Sequence, residues 1–162
     1  MEQNVEHSLT AVLQDRASAG LRVQPALSEE EAAAFRQLVA QQLTYELPAS
    51  YTAILTQTDG LDSNGVTLYA SRQYYQGDKF LLQGFLEANL LLRTYAPNLD
   101  FIYFAESGED LYRHNLQSGQ FEVCTRVGLR PMEVFATASE LFQQILADML
   151  DAVDDEEDED EI

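Results

Sequence analysis

Cys124 is the one side chain in the sequence that could act as a thiolate nucleophile, and the only histidines are His7 and His114. A Cys–His pair needs the imidazole within hydrogen-bond reach of the thiol, so the chemistry depends on which faces the two residues occupy. Ser118-Gly119 lies between them as a turn signal. A two-residue turn there pairs Gln117 with Gln120, setting His114 opposite Val123 and Arg113 opposite Cys124. The imidazole and the thiol then point to opposite sides of the sheet, and Cys124 is expected to be inert. His114 is expected to be a core histidine satisfied by a backbone carbonyl.

Other chemistries fare no better. His7, His114 and Cys124 have no metal-ligand spacing,. Asp62-Ser63-Asn64-Gly65 resembles part of a calcium loop, but placing Gly65 at the required glycine puts Gly60 at the first ligand position and Ser71 where a bidentate glutamate belongs,. The sequence has no phosphate-binding glycine loop, no G-x-S-x-G and no H-E-x-x-H,. Carboxylates are abundant, so a glycosidase-like pair remains possible by count alone, but solvated surface acids are the expected role for most of them. The expectation is a protein without catalytic residues, cofactor or metal.

Two acidic groups adjoin turns: Asp59 and Asp62, then Glu106, Glu109 and Asp110. Acids held on rigid turns can meet a basic partner with complementary charge, although Asp and Glu also favour turns simply for solvation. The stretch around Arg72, Tyr74 and Tyr75 supplies residue types that dominate interfaces, or aromatic rings that pack on the sheet. These eight residues are the candidate partner-binding set.

The elements that must position them follow from periodicity. Val5, Leu9, Val12 and Leu13 make one face of an N-terminal helix that Gly20 ends, followed by a short extended segment to residue 27,. Ser28 and Glu31 form a capping box for a helix carrying Phe35, Leu38, Val39 and Leu43,. Pro48 starts a short helix bearing Tyr51, Ile54 and Leu55; Asp62–Gly65 is a turn and Val66–Tyr69 a strand,. Residues 70–79 have no clean period and are expected to be a loop. Phe85–Arg93 is a helix whose leucines nearly encircle it, so deep packing is expected, with Pro97-Asn98 as its stop. Strands at 101–105, 111–115 and 120–126 form an antiparallel meander. A helix from the Thr137–Glu140 capping box carries Leu141, Phe142, Ile145, Leu146, Met149 and Leu150 across it,. The fold class is α+β, an antiparallel meander sheet packed against several helices.

With 162 residues, one domain over 1–150 is expected, and residues 151–162 form an acidic tail expected to be disordered,. The formal net charge is −19; nine acids lie in the last twelve residues, leaving −10 on the body. Nucleic acid and anionic membrane would be repelled as partners. No run approaches the length of a membrane span, Glu2 and Glu6 make the N-terminus unlike a secretory signal, and a single Cys fits a reducing compartment,. The cytoplasm is the expected location.

Leu47-Pro48-Ala49-Ser50-Tyr51, Asp59-Gly60 and Gly65-Val66-Thr67-Leu68-Tyr69 resemble the motifs of the SUKH superfamily, which includes a yeast cell-wall synthesis regulator and YrhA-like bacterial proteins. Phe101–Ala105 with Ser107-Gly108 resembles its central strand and turn, and Ala138–Phe142 its closing helix, so the likeness spans roughly Ser28 to Leu150,. The resemblance implies a SUKH-like, non-enzymatic binding fold, and many bacterial members look like immunity proteins that neutralise toxins, often nucleases. A nuclease must bind phosphate and is typically basic, so an acidic protein suits it as a cover. The alternatives are a regulatory or scaffold protein of the cell-wall regulator type, and a carboxylate-based enzyme.

Overall fold

The computed structural model describes residues 2–95 and 100–160. Helix α1 (Gln3–Ser18) buries Val5, Leu9 and Val12. Helix α2 (Glu29–Leu43) starts at the expected capping box: Glu31 N donates to Ser28 Oγ and Ser28 N to Glu31 Oε1, each at 3.1 Å. Helix α3 (Ala49–Leu55) has Pro48 as its cap, one position before the expected first turn, and buries Tyr51, Ile54 and Leu55 completely,.

Asn64 and Gly65 both adopt positive φ (51° and 80°), the geometry that a tight hairpin demands,. They join β1 (Leu61–Ser63) to β2 (Val66–Leu68). Strand β1 was not expected, because its polar residues read as turn formers. The stretch expected to be a loop contains β3 (Tyr74–Gln76), which pairs with β4 (Lys79–Leu82) in a separate two-stranded sheet. With both strands largely exposed, no buried face imprinted a period on the sequence,.

Helix α4 (Phe85–Tyr95) buries Phe85, Leu86, Ala88 and Asn89. Its expected deep packing does not hold: Leu90 and Leu91 are 49% and 51% exposed, because α4 lies on the sheet by one face only. The expected stop at Pro97-Asn98 lies outside the described residues. Strands β5 (Phe101–Glu106), β6 (Asp110–Asn115) and β7 (Phe121–Thr125) form the expected meander. An additional strand, β8 (Pro131–Phe135), extends it at the edge. The six strands run in the order β1-β2-β5-β6-β7-β8, each antiparallel to its neighbours.

The β6–β7 register differs from expectation by two residues: His114 faces Phe121 and Leu111 faces Cys124. Asn115 makes the difference, accepting from Gly119 N through its carbonyl (2.8 Å) and from Gln117 N through its side chain (3.0 Å), which lengthens the turn. A slip of two preserves side-chain direction, so His114 and Cys124 still occupy opposite faces.

Helix α5 (Ala138–Asp160) crosses one face of the sheet. There Tyr51 stacks on Phe142 with ring centroids 5.6 Å apart and meets Phe104 edge-on at 5.3 Å. The helix continues to Asp160, across the stretch for which the sequence leads one to expect a disordered tail. Once a packed segment has nucleated a helix, each further residue adds one hydrogen bond without a new nucleation cost.

Candidate functional site

The antiparallel order brings the β1–β2 turn, the β5–β6 turn and the β7–β8 connection to one end of the sheet. Helix α5 passes this end, where the Asn64 amide donates to the Met149 carbonyl. Asp62, Glu106, Glu109 and Asp110 are therefore neighbours, although 48 positions separate the first from the last in sequence.

Cations meet two of the four. Arg16 Nη1 pairs with Asp62 at 3.3 Å, and Arg126 Nη1 with Glu106 at 2.8 Å while also donating to the Ser107 carbonyl. The other two are held by the turn itself. Ser107 Oγ accepts from Glu109 N and Asp110 N, and Ser107 N donates to the Asp110 carbonyl at 2.8 Å. Asp110 titrates above the ordinary carboxylate range because partial burial desolvates it and because Glu109 and Asp148 lie close,.

Asp148 is the residue that sequence reasoning missed. It accepts from the Tyr112 hydroxyl at 2.6 Å and from Gln144 Nε2 at 2.8 Å. The available signal was an acid three positions after Ile145, within the apolar stripe of α5. Among the described residues, no Lys or Arg is ion-paired with Glu109, Asp110 or Asp148. Beyond Asp148, α5 leads into the stretch that holds nine acids.

The other candidates lie elsewhere. Asp59 is fully buried, so its place as a partner-facing acid is corrected: its carboxylate accepts from Ser71 N (2.7 Å), Ser71 Oγ (2.8 Å) and the Tyr74 hydroxyl. Its backbone is fastened as well, N–H to the Pro25 carbonyl at 2.7 Å and C=O to Gln24 Nε2 at 2.8 Å. A buried charge needs this many donors, and they lock β3 to the core. Tyr74 is corrected with it, since its hydroxyl is used internally and its ring is buried. Arg72 is exposed and sits 5.1 Å from the centre of that ring. Tyr75 is 58% exposed and contacts Phe80, itself 48% exposed, edge-on at 5.9 Å.

Cys124 is fully buried, and burial pushes its thiol up to about 11. A thiol so placed is a poor nucleophile at neutral pH. His114 uses Nδ1 on the Tyr45 hydroxyl at 2.7 Å and stacks on Phe121 at 4.0 Å, a side-chain partner rather than the expected backbone carbonyl alone. Among the described residues, no group of three His, Cys, Asp or Glu side chains is placed to hold a metal, and no helix is long and apolar enough to cross a membrane. No protein-family model matches the chain, and no curated protein matches it significantly.

Proposed function

We propose that this chain is a non-enzymatic protein-binding domain of SUKH type, acting in the cytoplasm as an immunity protein that covers the basic surface of a toxin domain, in the leading case a nuclease. The observation that carries this reading is the acidic end of the sheet, where Glu109, Asp110 and Asp148 crowd together with no ion-pair partner among the described residues. Like charges held that close repel one another, and a cationic partner would relieve the repulsion on binding. The motif likeness around Leu47–Tyr51 and Gly65–Tyr69 supports the family part of the proposal.

The test is affinity capture from the native host at low salt, followed by association kinetics of the captured protein across a salt series. Reversing Glu106, Glu109 and Asp110 together to Lys should slow association far more than reversing three acids beyond Asp151, and added salt should slow the unaltered protein. Salt-independent association, or equal loss from the two sets, would reject the acidic end as the interface. The exposed Tyr75–Phe80 pair would then be the better contact surface.

A further inference from the structure

On the face of the sheet opposite α5, a cavity of about 540 Å³ opens between α4 and the β7–β8 connection. Its walls are Leu91, Leu92, Leu111 and Leu129, with Tyr103 and Arg126 as the polar groups. That volume falls within the usual range for small-molecule sites, which pair apolar walls with a few placed polar groups. Among the described residues no carboxylate lines it.

Basic residues are concentrated on the elements around the cavity. Of the nine Lys and Arg residues in the sequence, Arg93, Arg113, Arg126 and Arg130 lie on α4, β6 and the β7–β8 connection. Of the nearby acids, Glu106 is engaged by Arg126 and Glu122 by Arg113 at 2.6 Å, whereas among the described residues Glu109, whose carbonyl accepts from Arg126 N, and Asp110 have no ion-pair partner. Arg126 meets both Glu106 and the Ser107 carbonyl through Nη1.

Arg113 adds an independent sign. It is 3% exposed, lies 3.7 Å from the centre of the Phe101 ring, and donates from Nη2 to the carbonyl of the wall residue Leu129 at 3.4 Å. Among the described residues its Nη1 has no close hydrogen-bond partner, and the guanidinium acts on the Tyr103 hydroxyl, another wall group, by hydrogen bonding as well as by charge. A buried guanidinium N–H left without an acceptor is costly, and an anion beside Tyr103 would lower that cost.

We propose that this cavity binds an amphiphilic carboxylate of medium chain length, with its tail against the four leucines and its head between Arg126 and the Tyr103 hydroxyl. Leu91, 51% exposed, would flank the entrance. The proposal does not depend on the toxin-binding reading.

The test is titration calorimetry on the full chain with decanoate and with decyltrimethylammonium, each below its micelle concentration. A net charge of −19 favours the cation in any nonspecific association, whereas the cavity favours the anion,. Decanoate should bind at one per chain and at least tenfold more tightly than the cation. Arg126→Gln, at a partly exposed position, should weaken decanoate at least tenfold, and Leu91→Trp, at the mouth, should do the same by filling it. Lys79→Gln, on the separate hairpin, should leave binding unchanged. Equal or tighter binding of the cation, no effect of both cavity variants, or no decanoate binding at millimolar concentration would overturn the proposal.

Discussion

Tyr51 combines two contributions that can be separated by substitution. Its ring lies among Phe85, Phe104 and Phe142, and its hydroxyl donates to the Tyr69 carbonyl at 2.5 Å. Tyr51→Ala should cost about 3–5 kcal/mol in urea unfolding, and Tyr51→Phe only about 1 kcal/mol, since it removes one hydrogen bond and leaves the packing. His114 and Asp110 set opposite pH trends. Burial lowers the His114 pKa, against a backbone hydrogen bond with Gly119 that raises it, so the unfolded chain binds the proton first as pH falls. Stability should therefore decline below about pH 6.5, and His114→Gln should flatten that decline in melting temperature against pH. Asp110 is raised, so its folded form takes up the proton first, and its unfavourable contribution near pH 7 fades as pH falls through its folded pKa. Asp110→Asn should accordingly raise the melting temperature at pH 7 and lose that advantage in acid.

At the level of elements, Asn89 shows how a helix can complete a sheet. Strand β2 pairs with β5 only at Glu106 and Ala105, so the backbone of Tyr103 has no strand partner on that side. Asn89 supplies one from α4: its Nδ2 donates to the Tyr103 carbonyl at 2.9 Å, and its Oδ1 accepts from Tyr103 N at 2.8 Å. Asn89→Ala should destabilise the protein by about 2–3 kcal/mol and speed hydrogen exchange at the Tyr103 amide before that at Tyr112. An isolated polar residue in an apolar helix carried no such meaning in the sequence. What was legible there had local causes: the Ser28–Glu31 capping box, the stripes of α1 and α5, and the three meander strands. The illegible elements, β1, β3, β4 and β8, are short or solvated strands whose pairing depends on distant neighbours,. Pro131 and Glu133 in β8 are tolerated because that strand is an edge,. Of the candidate site, the acids at the β5–β6 turn could be found from sequence. The burial of Asp59 could not, because its donors Ser71 and Tyr74 reach it only through the β3–β4 fold.

At the scale of the whole molecule, charge and packing separate along α5. Its fully buried residues run from Leu141 to Met149, and the dense acids follow. Ending the chain after Asp151 should leave the melting temperature nearly unchanged at moderate salt. Adding salt should raise the melting temperature of the full chain more than that of the shortened one, because screening relieves more self-repulsion in the former. A large loss of cooperative unfolding on truncation would instead assign the acidic stretch a structural role. The docking of α1 on α5, marked by Gln143 Nε2 donating to Ser8 Oγ at 2.8 Å across 135 positions, also bears on biosynthesis. The apolar side of α1 leaves the ribosome before its main packing partner, α5, has been made. During translation Val5, Leu9 and Val12 therefore stay unsheltered while the sheet assembles, and they offer a nascent-chain chaperone a docking segment that vanishes once synthesis passes α5,.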